Sequence, residues 1–331
     1  MARVFVTGAS GQVGSALVKT LCQQGHQVQV LLRPGAWHPA LDGLDLQVFC
    51  GELLRAGDIA RAMQSAEQVF HVAGMISYHP RDAWQMQQVN VHATALMVAC
   101  ALHNRVQRFV HTSSTAALGY CFSPQQQLNE AQALDPRFFG MPYLKTKADA
   151  EAEVLRGVVQ GLDAVIVNPS TIFGPGDTKM NTGKLFAQLQ QGGRVAPPGG
   201  TAVVSLPKVI EGHLLARERG QTGRRYILSS LNLSYQELFS WIAACYQQPG
   251  PRHQLPRSLR QPLIAALSLL QHLPPLADRG LSADLLRFSF NYRYYDASRA
   301  TQELHWQPDS PEEFQAVLRA ASADYARRNQ V

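Results

Sequence analysis

The sequence predicts a doubly wound α/β fold, a parallel sheet wrapped by helices, with a smaller and mostly helical C-terminal lobe. Three observations lead there. Short runs rich in Val and Leu alternate with helix-length patterns through about residue 170. Such runs are strands buried on both faces and joined by helices. A glycine-rich turn, Gly8-Ala9-Ser10-Gly11-Gln12-Val13-Gly14, follows the first apolar run and opens a helical one. Beyond Pro169 the texture changes: Gly and Pro cluster at 174–176, 192–200 and 249–256, and helix patterns dominate.

The elements follow in order. Strands are expected at 4–7, 28–32, 46–49, 68–72, 108–113 and 164–168, where β-branched and aromatic residues run together. Helices are expected between them at 12–23, 57–65, 82–103 and 143–160. The second lobe reads as helices at 181–191, 207–219, 234–246, 259–272, 281–289 and 310–328, interrupted by one strand at 225–228. This divides the chain into a dinucleotide-binding domain, 1–170, to which the chain returns near 202–220, and a substrate-binding lobe, 171–331.

Composition narrows the function. The chain has 331 residues, 46% hydrophobic and 16% charged, which is globular. Its 30 Lys+Arg against 24 Asp+Glu give +6, spread without an extended basic run. That favours an anionic small molecule over a nucleic-acid interface. Five cysteines (22, 50, 100, 121, 245) are odd in number and lack C-x-x-C spacing, so neither a metal site nor a disulfide framework is expected. No run reaches the ~18 apolar residues of a membrane span. The first residues lack a signal peptide's apolar core, so a cytoplasmic location is expected.

The glycine spacing carries chemistry. Gly8 permits the tight turn, Gly11 lets the backbone approach a pyrophosphate, and Gly14 lets the helix pack on the strand. The helix N-terminus offers unpaired N–H groups and a positive dipole to the phosphates. Ser10, Gln12 and Val13 belong to the same cradle. The residue ending the second strand then chooses the nucleotide: an acid holds ribose hydroxyls, an Arg accommodates a 2′-phosphate. Arg33 stands there, and the first acid in the chain is Asp42. The expectation is NADP(H), with NAD(H) the alternative.

Further along, Thr112-Ser113-Ser114 ends a strand in hydroxyls, and Tyr143-Leu144-Lys145-Thr146-Lys147 opens a helix. Tyr143 and Lys147, at i and i+4, share one helical face. No other Tyr-x-x-x-Lys occurs in the chain. Add Val69-Phe70-His71-Val72-Ala73-Gly74, Val89-Asn90-Val91, Asn168-Pro169-Ser170-Thr171 followed by Gly174-Pro175 and Asp177, and the ending Asp296 to Pro308. Together these motifs resemble the extended short-chain dehydrogenase/reductases (SDRs), nearly end to end. Within that family the sequence resembles the dihydroflavonol-4-reductase-like group, which includes bacterial proteins called hopanoid-associated sugar epimerases.

The resemblance implies a Rossmann domain and assigns roles. Tyr143 would be the acid/base, Lys147 would favour the phenolate and hold the nicotinamide ribose, and Ser114 would bind the substrate oxygen. Glu52, Leu53, Ala73, Gly74, Asn90, Thr112, Pro169, Ser170 and Thr171 would contact the cofactor. Met75, Ile76, Tyr78, Phe139, Met141 and Phe173 would line the substrate cavity, an aromatic-rich surface suited to an apolar carbonyl compound. Departures matter too. Gly51-Glu52 replaces the family's Gly-Asp, and residues 199–204 lack the Arg with which nucleotide-sugar enzymes grip a diphosphate. The expected activity is therefore NADP(H)-dependent interconversion of an alcohol and a ketone or aldehyde, the alternative being an NAD-retaining sugar epimerase/dehydratase. A non-catalytic NADP-binding sensor is the third reading, and a homodimer through the helices at 82–103 and 143–160 is expected.

Overall fold

The computed structural model describes residues 1–270 and 282–328. Residues 271, 272 and 281, at the ends of two expected helices, lie outside the described residues.

Apolar side chains alternate between the two faces of each central strand, so each face must be covered. Strands β1 (Arg3–Thr7), β2 (Gln27–Leu32), β3 (Leu46–Cys50), β4 (Gln68–His71), β5 (Arg108–Thr112) and β6 (Ala164–Pro169) run parallel. Helix α1 (Gln12–Gln23) covers one face. There Val4, Val6, Val110, Val165 and Val167 meet Leu17, Val18 and Leu21. Helices α2 (Ala56–Met63), α3 (Ala83–Met86), α4 (Ala93–His103) and α5 (Pro142–Val159) follow on the other side. Phe5, Val69, Phe109 and Ile166 there meet Ile59, Met63, Met97, Val98 and Val154. This is the two-residue period of a strand buried on both faces.

The chain beyond β6 makes β7 (Thr171–Phe173), α6 (Gly183–Gln190), β8 (Val195–Ala196), β9 (Gly200–Ser205), α7 (Leu206–Arg219) and β10 (Arg225–Leu228). The expected lobe strand at 225–228 proves to be β10, the seventh strand of the main sheet, whose order is β10-β6-β5-β4-β1-β2-β3. Helix α7 packs with α1 on the same face, through Val209, Ile210 and Ala216. The order reverses between β1 and β4, where open α/β sheets bind ligands beyond the strands' carboxyl ends.

The second lobe also holds a sheet the sequence hid. β11 (Leu231–Ser234) pairs antiparallel with β9, while β7 and β13 (Tyr292–Arg293) pair parallel with it. Helix α8 (Tyr235–Ala244), the short pairing of β12 (His253–Gln254) with β8, helix α9 (Arg260–Leu270), and the helices Ala283–Ser289 and Pro311–Arg328 complete it. Gly199 and Gly200 read as a turn cluster because of their neighbours, yet they are needed for close strand approach. A Cβ on Gly199 would lie 2.2 Å from the Asn291 carbonyl oxygen, and one on Gly200 would lie 2.3 Å from the Tyr294 hydroxyl.

Three imidazoles are sealed under the site. His71 lies between the Thr7 and Thr94 hydroxyls at 2.8 and 3.0 Å, and His213 meets Thr112 at 2.8 Å. His111, 5.3 Å ring to ring from His71, has no partner on either nitrogen. Burial lowers His71 to about 3 and His213 to about 4, and holds His111 well below its ordinary value. The unfolded chain takes up these protons below about pH 6.5 and the folded one does not, so stability is lost as pH falls from there. His111→Phe, which sacrifices no hydrogen bond, is expected to lessen this acid sensitivity by one proton's worth. Urea unfolding at pH 5 and pH 7 checks it.

Candidate active site

The glycine loop is built as its spacing requires. Gly8 adopts φ +76° beneath the turn that follows β4, and a Cβ there would lie 2.7 Å from the Ala73 nitrogen. A Cβ on Gly14 would lie 2.2 Å from the Gly8 carbonyl oxygen, so only glycine lets α1 start this close to the loop. Gly11 occupies the N-cap of α1 with no side chain satisfying the helix's first N–H groups. Those groups, with Ser10 and Val13 beside them, remain available to phosphate oxygens. The Gln12 amide instead donates to the Gly174 and Pro175 carbonyls at 2.8 and 3.2 Å, fastening the far loop over the cradle. His38 reinforces that fastening through the Gly176 carbonyl at 3.0 Å, a contact no sequence pattern announced.

The cradle fits a dinucleotide on a second observation. Ser170, just after β6, has a buried hydroxyl with no partner. Its neighbour Thr171 is committed to Thr201 at 3.0 Å, and Pro169 completes β6 beside Leu228. Ala73 donates its N–H to Thr7. Gly74 is exposed, and a Cβ there would lie 3.6 Å from the Lys147 ammonium. Asn90 lies in a π-helical turn (Gln87–His92) between α3 and α4, the kind of bulge that often marks a functional site. Its amide is fully used: Oδ1 accepts from the Met75 N–H at 2.7 Å, and Nδ2 donates to the Met75 carbonyl and the Thr146 hydroxyl. Asn90 therefore ties the loop after β4 to α5. On the adenine side, Glu52 and Leu53 follow β3, and the Glu52 N–H is held by the Asp58 carboxylate at 3.0 Å.

The end of β5 faces the start of α5. Pro142 occupies the first turn of α5, where its missing N–H costs nothing, and this sets Tyr143 and Lys147 on the inner face. Lys147 donates to the Thr112 carbonyl at 3.0 Å. Burial lowers its ammonium to about 8, opposed by Glu151. Ser113 and Ser114 part company here. Ser113 donates to Glu151 at 2.5 Å and is spent. Ser114 accepts from the Ala116 N–H at 3.2 Å. Burial pushes the Tyr143 phenol up, Tyr78 adds to this, and Ser114 and Arg293 oppose it.

The wall beside Tyr143 is aromatic. Tyr78 meets Tyr143 edge-on at 5.5 Å and Phe288 at 5.1 Å. Phe288 continues to Tyr120 at 5.6 Å, and Tyr120 to Phe138 at 4.4 Å. Met75 and Met141 pack in the same cluster. Three expected lining residues do not join this cluster. Phe173 is wholly buried against Phe186 and Phe314 in the second lobe's core, Phe139 is exposed under the Lys145 ammonium, and Ile76 is exposed. Sequence reading missed Phe288 and Arg293. They lie some 150 residues from Tyr143, and only the aromatic run Tyr292-Arg293-Tyr294-Tyr295 hinted at them.

Comparison with known proteins corrects the cofactor. A dTDP-glucose 4,6-dehydratase from Streptomyces venezuelae, solved with NAD bound, is 21% identical with a TM-score of 0.77, over 99% of this chain and 98% of that one. Other solved structures that match also hold NAD. The expected preference for NADP(H) is thereby overturned. Arg33, which carried it, is exposed, and among the described residues its side chain has no hydrogen bond or ion pair. A guanidinium held by nothing can turn away from free ribose hydroxyls, so its presence does not exclude NAD.

Other comparisons identify the family. The sequence profile of the NAD dependent epimerase/dehydratase family matches residues 4–224. A Synechocystis protein provisionally named dihydroflavonol 4-reductase is 36% identical over 309 residues, 91% of this chain and 88% of the relative. Sterol demethylase protein B of Methylococcus capsulatus is 32% identical over 329 residues, 97% and 96% of the two chains. The crystal structure of gox2253 superposes with a TM-score of 0.86 at 28% identity, over the whole of both chains. Among the described residues no helix is long and apolar enough to cross a membrane. The chain belongs to the NAD dependent epimerase/dehydratase family and is an NAD(P)-dependent oxidoreductase of the extended SDR type.

Proposed function

We propose that this protein interconverts an alcohol carbon and a carbonyl beside bound NAD, with Tyr143 as acid/base, on a sugar-nucleotide-like substrate, and that it retains its NAD through the reaction. The observation that carries the chemistry is the hydrogen bond by which Lys147, one helical turn after Tyr143 on α5, reaches the Thr112 carbonyl at the end of β5. Bound NAD supplies the hydride acceptor and donor. Ser114, whose oxygen already accepts an N–H, donates its own proton to the substrate oxygen and fixes it against Tyr143. As the phenolate, which the Lys147 charge favours, Tyr143 takes the alcohol proton while the carbonyl forms, and as the phenol it gives that proton back when the alcohol is remade. Lys147 holds a positive charge beside Gly74, where a nicotinamide ribose would rest. Support for a sugar-nucleotide substrate and retained NAD comes from the epimerase/dehydratase profile and from the NAD-bound dehydratase.

The aromatic wall of Tyr78, Tyr120, Phe138 and Phe288 favours a second reading, net reduction of an apolar carbonyl compound. One experiment separates them. The NAD-saturated protein is incubated with UDP-glucose, UDP-glucuronate, dTDP-glucose and an aromatic ketone with NADH, and product is counted against cofactor consumed. The proposal expects many products per NAD with one of the nucleotide sugars. One NADH oxidised per product, with the ketone alone converted, would establish the reductase instead.

A further inference from the structure

Glu151 is a buried carboxylate to which the proposed chemistry gives no role. It lies on α5 one turn beyond Lys147, on the inner face that also carries Tyr143, and it is 4% exposed. Donors from three neighbouring segments converge on it. The Ser113 hydroxyl, just past β5, and the Asn168 amide of β6 both donate to Oε1 at 2.5 Å. The Arg225 guanidinium of β10 donates to Oε2 at 3.1 Å. The same Asn168 amide donates to the Ser114 carbonyl at 3.0 Å, and the Ser113 N–H to the Val167 carbonyl at 2.8 Å. The carboxylate is thus fixed to the strand end that carries Ser114.

A carboxylate withdrawn from water is costly unless it is paired and hydrogen-bonded, and this one is both. A clamp between α5 and the strands needs no charge, because Ser113 and Asn168 ask only for an acceptor, which a neutral amide also offers. What a neutral side chain cannot supply is a negative charge beside Lys147. The other titratable groups around that ammonium are His71 on β4, His111 on β5 with His213 of α7 beyond it, and Tyr143 on its own helix. Burial disfavours a charge on each of them. Arg225 is a second cation, held by Glu151 and by the Glu130 and Gln132 carbonyls at 2.6 and 2.9 Å. Among the described residues Glu151 is the anion that acts on Lys147, opposing the burial that lowers its ammonium to about 8. Without it the ammonium would keep the Thr112 carbonyl as a partner but no opposite charge.

We infer that Glu151 is a positioning residue of the active site: clamped by Ser113, Asn168 and Arg225, its carboxylate is the buried counter-charge that holds the Lys147 ammonium in place for NAD. It acts through Lys147 and touches neither substrate nor cofactor. The inference rests on the proposed function only for the role of Lys147 at NAD.

Lys147 can be watched directly, because the chain has only six lysines. In the full chain carrying isotope-labelled lysine, before NAD is added, the carbon beside each ammonium is followed by NMR against pH. The signal missing from Lys147→Met identifies Lys147. The inference expects the wild type to titrate at about 8. Glu151→Gln keeps an acceptor for Ser113 and Asn168 and should titrate lower by roughly one to three pH units, the effect of losing a neighbouring opposite charge. Ser113→Ala loosens the clamp without touching the charge and should leave the midpoint in place. NAD affinity of Glu151→Gln at pH 8 should fall about fivefold or more, and lowering the pH should restore it, which repair of a merely structural defect would not do. An unchanged Lys147 midpoint in folded Glu151→Gln overturns the inference. An equal shift in Ser113→Ala assigns the effect to the clamp alone and overturns it as well. Should Glu151→Gln fail to fold, the double replacement Glu151→Gln with Arg225→Gln removes the ion pair as a unit, strands no buried charge and is read in the same way. A lowered midpoint with unchanged NAD affinity upholds the counter-charge and instead removes Lys147 from the proposed function, so the two failures are told apart.

Discussion

Tyr143→Phe is expected to lower turnover by about 10²- to 10⁴-fold, the usual scale for loss of a general acid–base group, while NAD still binds. The substitution removes one hydroxyl and nothing else. The ring keeps its edge contact with Tyr78 and its place in the aromatic cluster. Ser114 keeps the Ala116 N–H, so the end of β5 stays in place. NAD affinity measured by fluorescence titration should be unchanged, which attributes the lost turnover to the proton and not to the cradle. A folded Tyr143→Phe protein with near-normal turnover removes Tyr143 from the mechanism, whatever becomes of the cofactor.

Lys147→Met should fail differently. The ammonium donates to the Thr112 carbonyl and lies next to Gly74, on the path from β4 to the proposed nicotinamide ribose. Losing it should cost turnover and also weaken NAD binding, by roughly ten- to a hundredfold for a charged hydrogen bond. Burial supplies a pH signature. An ordinary Lys stays charged to about pH 10, but Lys147 is lowered to about 8. It loses its proton as pH rises through that value, and the hold on NAD should weaken with it. Titrating NAD at pH 7 and pH 9 should show this loss in the wild type and none in Lys147→Met. Equal NAD affinity of the two proteins at pH 7 would show that Lys147 does not touch the cofactor.

What the sequence made legible was local. The loop from Gly8 to Gly14, the hydroxyls ending β5 and the spacing of Tyr143 to Lys147 each lie within one strand–turn–helix passage, where period and turn chemistry act directly. Ser113 and Ser114 could not be told apart by strand reading, because the choice depends on Glu151, which reaches Ser113 from another turn of α5. The second sheet was hidden because Gly199 and Gly200 look like a turn, and only Asn291 and Tyr294, some 90 residues on, show why a side chain is excluded. Phe139 and Ile76 lie in irregular segments, which carry no periodicity to say which way they turn, and Phe173 ends the short strand β7, whose side chain packs into a second-lobe core that the sequence did not reveal. Arg33 was weighed by its charge, whereas exposure leaves it free to turn away. Arg293 and Phe288 reach the site only by tertiary packing.

The central claim is that an alcohol on a bound substrate gives its proton to Tyr143 beside bound NAD. Its most direct test is rapid mixing of NAD-saturated protein with the nucleotide-sugar panel, following the near-ultraviolet absorbance of reduced nicotinamide in the wild type and in Tyr143→Phe. The wild type should show a transient rise that decays as product forms, and the variant should show none at equal NAD occupancy. A signal of the same size and rate in Tyr143→Phe, or no signal in the wild type with any member of the panel, contradicts the account.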